Sequence, residues 1–381
     1  MAYLLSLAVF FGHAYHLYEF TVYDLFIGSV AIFLVLSGRK IRYGRKLVGL
    51  VLALIAYAVL TIIVNRTDDL AQYLSIGYYV EFLVSVILVL TLDIDMKKVW
   101  NTVFVLVIVD NIIAIASFVL HQGHIQAVGL SGTGLHWMTI PYIIYVMITR
   151  EIKPRSRLVL EIVLVTGLLS TNQRIGWVTL LVSLLVAMFV LRDNRVSLMK
   201  GVVPVIGLVI LFLAIPSEAR SVVIARLSQI RDGSGTIGYR LVLWKSAWRA
   251  FLDKPILGIG SGAFARNLRS IVRVDEASYQ LIVASGLSTH NSFLEALAEL
   301  GILGASLYYS TAMYILAYSK RVLTVTRKDA ITRSAYICLI AYTILDLYGQ
   351  GTFYPYYTYL FMVVVAAGRH ASNHTAHLGG G

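Results

Sequence analysis

Long apolar stretches recur along the whole chain, and short polar stretches separate them. Most are long enough to cross the hydrocarbon core of a bilayer as a helix, which takes about 20 residues. The predicted segments are 2–17, 20–38, 46–65, 70–92, 99–121, 134–149, 156–171, 174–191, 198–216, 292–319, 334–348 and 352–368. This pattern predicts an all-α protein, a polytopic transmembrane bundle of about 12 helices, in which residues 1–381 form a single integral membrane domain.

Lys and Arg are unevenly distributed between the connections of this bundle. They cluster in every second connection, for example at 39–46, 150–157 and 320–333, whereas the intervening short connections contain only Arg66 and Arg174. Short cytoplasmic loops of membrane proteins carry an excess of Lys and Arg. The distribution therefore predicts that both termini are cytoplasmic, and its regular alternation supports twelve spans.

One connection, residues 217–291, is much longer than the others and lies on the outer side. It has twice as many basic as acidic residues, but long loops are exempt from the charge rule. Leu241, Trp244, Trp248 and Phe251 recur in it at helical spacing. We expect a large, partly helical loop whose amphipathic helix lies along the membrane surface, with the tryptophans at headgroup depth. Packing of this helix against the protein on the aqueous side is the alternative.

Composition agrees with a membrane protein. Hydrophobic residues make up 58% of the chain and charged residues 14%, and the mean hydropathy is +0.78. The formal net charge of +12 fits cytoplasmic loops facing anionic lipids better than it fits nucleic acid, so we expect no nucleic-acid partner. The single cysteine, Cys338, rules out an intrachain disulfide and a thiolate metal cluster. We expect residues 371–381 to form a disordered tail or an added remnant.

The stretch "LSTHNSFLEALAELGILGA" places a His-Asn pair directly before an apolar helix. Ser292 and Glu295 have the spacing of a capping box, which predicts that the helix begins there. His290 and Asn291 then lie at the outer bilayer surface. The positive end of the helix favours a neutral imidazole, the state that a general base requires. An interfacial histidine that bonds only to solvent is the equally simple alternative.

Two arginines stand out. Arg174, in "LLSTNQRIGWVTLL", occupies an outer turn too short to leave the bilayer region, where a charge is costly and marks a functional candidate. Snorkelling to headgroup phosphates is its alternative explanation. Arg240 lies in the amphipathic segment, and two guanidinium groups would suit recognition of a diphosphate. The following "KPILGIGSGAF" lacks nucleotide-loop spacing and no strand precedes it, so we expect a tight glycine turn.

Several acidic residues also require an interpretation. Glu81 and Asp110 fall near mid-membrane, where we favour structural pairing between helices. The "DID" at 93–95 resembles a metal-binding motif but faces the cytoplasm, and we interpret it as a solvated helix end. Asp346, Tyr348 and Gln350 lie near the last outer turn, where contact with sugar is one interpretation.

Three motifs together resemble the O-antigen ligase and O-antigen polymerase superfamily of bacterial cell-envelope glycosyltransferases. They are "STNQRIGW" with Arg174, "YRLVLWKSAWRAFLDKPILGIGSGAF" with Arg240, and "HNSFLEALAELGILG" with His290. The predicted topology also matches, with about twelve spans and one large periplasmic loop late in the chain. The resemblance covers residues 170–305.

The resemblance implies an inner-membrane glycosyltransferase that needs neither a metal nor another cofactor. Its donor would be a glycan on undecaprenyl diphosphate, and its active site would face the periplasm. Arg174 and Arg240 would hold the diphosphate, and His290 would take the proton from an acceptor hydroxyl that attacks C1 with inversion. Further substrate contacts are expected from the neighbouring polar residues Asn291, Tyr239, Arg266 and Tyr348.

We favour a polymerase, which joins glycan repeat units on their lipid carrier, with a chain-length regulator as a partner. The alternative is a ligase that moves the finished chain onto lipid A–core. A lipid-linked glycan flippase or transporter is more distant, because transporters show repeated halves and interrupted helices at mid-membrane. Here the distinctive polar residues instead concentrate in one outer loop.

Overall fold

A computed structural model provides the structure of this chain. It describes residues 1–11, 16–17, 20–37, 45–66, 72, 75–121, 130, 135–171, 173–191, 199, 202, 206–207, 236–271, 289–326, 329–347 and 353–378. For some of these residues, among them Arg174, Tyr239 and Arg266, only the backbone is described. Tyr348 and most of the ninth predicted segment, 198–216, lie outside the described residues.

The described chain is almost entirely helical. Its helices are α1 (Ala2–Phe11), α2 (Val22–Leu36), α3 (Arg45–Val64), α4 (Gly77–Thr91), α5 (Met96–Leu120), α6 (Leu135–Ile148), α7 (Pro154–Ser170), α8 (Arg174–Val190), α9 (Thr236–Asp253), α10 (Ala263–Ile271), α11 (Ser292–Val325), α12 (Ala330–Leu345) and α13 (Pro355–Leu378). A two-stranded antiparallel ladder, β1 (His16–Leu17) and β2 (Phe20–Thr21), connects α1 to α2.

The prediction of a polytopic helical membrane bundle is confirmed. In the part of the chain that the structure describes, a helix lies in each of the other eleven predicted apolar segments, and α3, α5 and α11 are long and apolar enough to cross a membrane by length and composition. Helix α1 does not extend through the whole predicted segment 2–17, because His16 and Leu17 belong to β1. The total of twelve spans stays a prediction.

Helix α6 forms the centre of the bundle. All of its residues are buried except Trp137, which is partly buried. The Tyr142 hydroxyl lies 2.8 Å from the Tyr359 hydroxyl of α13, and the Tyr142 ring packs 4.5 Å from the ring of Trp100 in α5. The outer face of α5 is exposed instead, with apolar residues such as Val105 and Ile112. Such a face suits contact with lipid tails.

The connections meet at two opposite ends of the bundle. At one end, which we call the basic end, Lys97 pairs with Glu151 at 4.0 Å and Arg369 pairs with Asp93 at 3.5 Å. Asp95 caps α5 there by accepting the N–H of Lys98 at 3.0 Å. The "DID" stretch therefore forms a helix end, as predicted. The other end contains the turn around His290, and we call it the site end.

Candidate functional site

A network of hydrogen bonds shapes the turn around His290. Thr289 is fully buried, and its hydroxyl donates to the Glu295 carboxylate at 2.6 Å and accepts the N–H of Asn291 at 3.1 Å. The His290 backbone has a φ of 48°, in the left-handed region that non-glycine residues rarely adopt. Thr289 and Asn291, on either side of His290, are hydrogen-bonded and buried. They fix the backbone of the turn, and with it the position of the half-buried His290.

Helix α11 begins at Ser292, as predicted, but its cap differs from the predicted capping box. Asn291 is the capping residue, and its side-chain oxygen accepts the N–H of Leu294 at 3.0 Å. Its side-chain N–H₂ donates to Leu347 O at 2.8 Å, which joins the turn to the end of α12. The Glu295 carboxylate accepts the hydroxyl hydrogen of Thr289. Asn291 thus holds the turn in place, and its contact with substrate stays a prediction.

Helix α9 carries Arg240 towards His290. The indole N–H of Trp244 donates to Thr289 O at 2.9 Å, one residue before His290. Residues four apart lie on the same face of a helix. The half-buried Arg240, four residues before Trp244, therefore lies on the face of α9 that meets the histidine turn. The structure thus packs the helix that carries Arg240 against the turn that contains His290.

The buried face of α9 is not the apolar stripe noted in the sequence. Leu243, Ser246, Ala247 and Ala250 are buried there, whereas Trp248 of the stripe is 46% exposed. Small side chains allow two helices to approach closely. Hydropathy does not measure side-chain size, so the apolar pattern did not predict which face is buried. The predicted helix is confirmed, and its position at the membrane surface stays a prediction.

The glycine turn after α9 packs into a break in α11. At Gly301 the helix is interrupted by a φ of 65° and a ψ of −171°, and Gly258 in the turn has a φ of 69°. The backbones pair across this contact through Ile259 N to Ala298 O at 2.9 Å and Ile302 N to Pro255 O at 2.8 Å. The predicted tight glycine turn is present, and it joins the motif that contains Arg240 to the motif that contains His290.

Glu299 fixes the next element. Its two carboxylate oxygens accept the N–H groups of Gly262 at 2.8 Å and Phe264 at 3.1 Å, at the start of α10. A carboxylate at this position satisfies backbone donors that a helix leaves unpaired and complements the helix dipole. The sequence alone does not reveal this function of Glu299, because the groups that it binds lie more than 30 residues earlier in the chain.

Helix α8 begins at Arg174 at the site end. Gly176 packs against His136 at the start of α6, and the Tyr342 hydroxyl of α12 donates to Trp137 O at 2.6 Å. The first turn of α8 therefore lies at the same height in the bundle as the last turn of α12. Leu347, which follows α12, bonds to Asn291 of the histidine turn. Tyr239 lies beside Arg240 in α9, and Arg266 lies in α10.

Three acidic residues, Asp346, Asp110 and Glu81, are buried in the bundle. Asp346 is fully buried near the Tyr308 hydroxyl, at 3.5 Å, and its backbone carbonyl accepts the N–H of Phe293. Asp110 is also fully buried and accepts the backbone N–H of Leu130. Glu81 is 8% exposed, and one of its oxygens has no hydrogen-bond partner among the described residues.

Comparison with known proteins agrees with the resemblance in the sequence. Residues 159–309 match the family described as O-antigen ligase. This match confirms the resemblance to the O-antigen ligase and polymerase superfamily, and the matched region includes Arg174, Arg240 and His290. No curated protein matches the chain significantly.

Proposed function

Starting from the O-antigen ligase family match of residues 159–309, we propose that this membrane glycosyltransferase moves a glycan from a lipid diphosphate to a sugar hydroxyl. The observation that carries the proposal is the hydrogen bond from Trp244 to Thr289 O. It joins the helix of Arg240 to the turn of His290, which supports a single site with a permanent cation and a candidate base.

The imidazole of His290 accepts the proton of the acceptor hydroxyl. The oxygen of that hydroxyl attacks C1 of the donor sugar, the bond from C1 to the diphosphate oxygen breaks, and the configuration at C1 inverts. Negative charge then builds on the leaving diphosphate, where guanidinium groups stabilise it most. We assign this role to Arg240, with Arg174 as the second cation.

The donor that we propose is a glycan on undecaprenyl diphosphate. Its polyprenyl tail would lie in the bilayer beside the bundle, while the diphosphate and the sugars lie at the site end. This places the site end on the periplasmic side of the inner membrane and both termini in the cytoplasm, in agreement with the Lys and Arg distribution between the loops.

We propose polymerase activity, in which the acceptor is another lipid-linked repeat unit and a chain-length regulator is a partner. Ligase activity, with lipid A–core as acceptor, is the second candidate, and the description of the matching family favours it. Both activities use the same three residues. They differ in the acceptor alone.

Deletion of the gene in its host distinguishes the two. Loss of a polymerase leaves surface lipopolysaccharide with a single repeat unit on the core. Loss of a ligase leaves core without O-chain, while long glycan accumulates on the lipid carrier. Electrophoresis of the lipopolysaccharide shows the first result if our proposal is correct. An unchanged glycan pattern would contradict both activities.

Complementation with variants tests the residue roles. We expect His290→Ala to reduce transfer by about 10² to 10⁴-fold, the usual contribution of a general base. His121→Ala is the matched control, since His121 is the residue that follows α5 and its ring bonds to Ser117 O. Arg240→Ala should also lose transfer, whereas Arg249→Ala, on the exposed face of the same helix, should retain it. Near-full transfer by His290→Ala or Arg240→Ala at normal expression would show that the assignment is wrong.

A further inference from the structure

The glycine turn, residues 255–262, packs against α3 within the apolar part of that helix. The Tyr57 hydroxyl donates to Ile256 O at 3.2 Å, and the Thr61 hydroxyl accepts the N–H of Ser261 at 3.3 Å. Tyr57 and Thr61 lie about 10 Å and about 5 Å before the end of α3, measured along the helix axis. The turn therefore lies beside the last two turns of α3 and not beyond its end.

The apolar run of α3 indicates where the hydrocarbon core of the bilayer begins. Residues 47–64 carry no charge. At 1.5 Å per residue they span about 27 Å, close to the thickness of a bilayer core, about 30 Å. Asn65 and Arg66 follow this run, and Lys254 Nζ donates to Asn65 Oδ1 at 2.5 Å. Lys254 follows α9, so the end of α9 lies at the boundary of the core and the turn beyond it extends into the core.

The backbone of the turn is bonded as a membrane environment requires. Every N–H group from Gly258 to Phe264 donates to an acceptor within the protein. Ile256 O and Gly258 O accept from the side chains of Tyr57 and Asn65. A turn in water does not need such partners, because water binds its free groups. Irregular backbone at membrane depth does need them, since lipid tails offer no hydrogen bonds.

The turn also adds to an exposed apolar surface. Ile256 is 60% exposed, and Leu252, one turn earlier in α9, is 57% exposed. Ile302 and Leu303 of α11 are about half exposed, and Ile302 N donates to Pro255 O at 2.8 Å. The exposed side chains of the turn are thus continuous with those of a helix that crosses the membrane. Acyl chains are the environment that suits both.

The exposed face of α9 changes character away from the turn. Lys245 and Arg249 are exposed there, together with Trp248. Basic residues beside a tryptophan are typical of the headgroup layer, where they meet lipid phosphates. Polarity along α9 therefore changes in the order that a helix requires when it descends through the headgroups towards the acyl chains.

We propose that residues 255–262 form a re-entrant turn, inserted into the bilayer leaflet at the site end, and that Leu252 and Ile256 contact the acyl chains of phospholipids. The turn anchors the end of α9 in the bilayer, whereas a helix lying flat on the membrane surface would keep both of its ends in the headgroup layer. The inference does not depend on the transferase function, because it rests on the contacts of the turn with α3 and α11.

Spin labels on single cysteines test this position in the full chain, reconstituted in phospholipid vesicles that contain no polyprenyl lipid. Labels are introduced through Ile256→Cys, through Leu303→Cys on the apolar face of α11, and through Lys97→Cys, which is exposed at the basic end. Cys338 is fully buried, and the unaltered chain treated with the label provides the blank. Collisions with dioxygen, which concentrates in hydrocarbon, are compared with collisions with a water-soluble nickel chelate.

We expect the ratio of oxygen to nickel collisions at Ile256 and Leu303 to exceed that at Lys97 about tenfold, since a cost of about 1.4 kcal/mol for moving the chelate into hydrocarbon excludes it by this factor. Arg249→Cys should give a ratio between those of Ile256 and Lys97. A ratio at Ile256 equal to that at Lys97 would place the turn in water and overturn the proposal. Protection of Ile256 from both reagents, with normal collisions at Leu303, would show that protein such as a second copy of the chain covers this face, and would equally overturn it.

Discussion

Substitution of Gly301 tests the contact between the glycine turn and the broken helix. Gly301 has a φ of 65° and a ψ of −171°, a combination that is open almost only to glycine. A β-carbon at this position would lie 2.7 Å from Gly258 N and would also overlap the backbone of Ile256. The obstacle is backbone rather than a flexible side chain, so Gly301→Ala cannot be accommodated by a rotamer change.

The magnitude follows from two contributions. The backbone conformation alone costs about 1 to 3 kcal/mol for a residue with a β-carbon. Moving the turn away to relieve the overlap would break the Ile259–Ala298 and Ile302–Pro255 hydrogen bonds, at about 0.5 to 1.5 kcal/mol each. The loss of stability expected for Gly301→Ala is therefore about 2 to 6 kcal/mol.

Thermal unfolding of the purified chain in detergent, followed by tryptophan fluorescence, measures the effect. Gly49→Ala is the matched control, because Gly49 lies within α3 and a β-carbon there meets nothing within 4 Å. We expect the melting temperature of Gly301→Ala to fall by at least about 3 °C, and that of Gly49→Ala to stay level or rise, since alanine favours a helix. Equal melting temperatures for the two variants would refute the structural argument.

Three further substitutions test the remaining contacts. Trp244→Phe removes the N–H that donates to Thr289 O but keeps an aromatic ring. We expect glycan transfer to fall about tenfold with little change in melting temperature. The control variant Trp248→Phe should transfer glycan normally. Asn291→Ala should cost about 1 to 2 kcal/mol of stability through loss of the helix cap, measured by thermal unfolding, and an unchanged melting temperature would contradict the cap. Glu299→Gln places an N–H₂ group opposite one of the two backbone N–H donors that the carboxylate binds. We expect the free energy of unfolding to fall by about 1 to 3 kcal/mol, measured by thermal unfolding. Stability equal to the wild type would show that these bonds are not needed.

The helices of this chain could be predicted from its sequence because each long apolar stretch has few ways to satisfy its backbone in a bilayer. The helical spacing of Leu241 and Trp244 likewise predicted α9, and the S-x-x-E pattern placed the start of α11 correctly at Ser292. These are local features. Their physical causes lie within a few residues of one another, where periodicity and capping preferences can be read directly.

The tertiary contacts of the site could not be predicted in this way. Asn291, rather than Ser292, caps α11 while it also bonds to Leu347, which is 56 residues away. In the sequence, Gly301 is an ordinary small residue within an apolar helix. Its non-helical backbone and its close approach to Gly258 are visible only in the structure. Gly258 lies 43 residues before Gly301, and no periodic pattern in the sequence relates the two positions. The contact between them could therefore not be predicted.

The break in α11 is stable because other parts of the chain bind the backbone groups that it releases. At membrane depth an unpaired carbonyl or N–H costs several kcal/mol. Here Ala298 O and Glu299 O accept the N–H groups of Ile259 and Gly260, and the Tyr57 hydroxyl donates to Leu300 O. The interruption therefore requires the glycine turn, and the turn continues from the helix that carries Arg240. Helix α11, which begins just after the histidine turn, and α9, which carries Arg240, are in this way held against each other by the glycine turn.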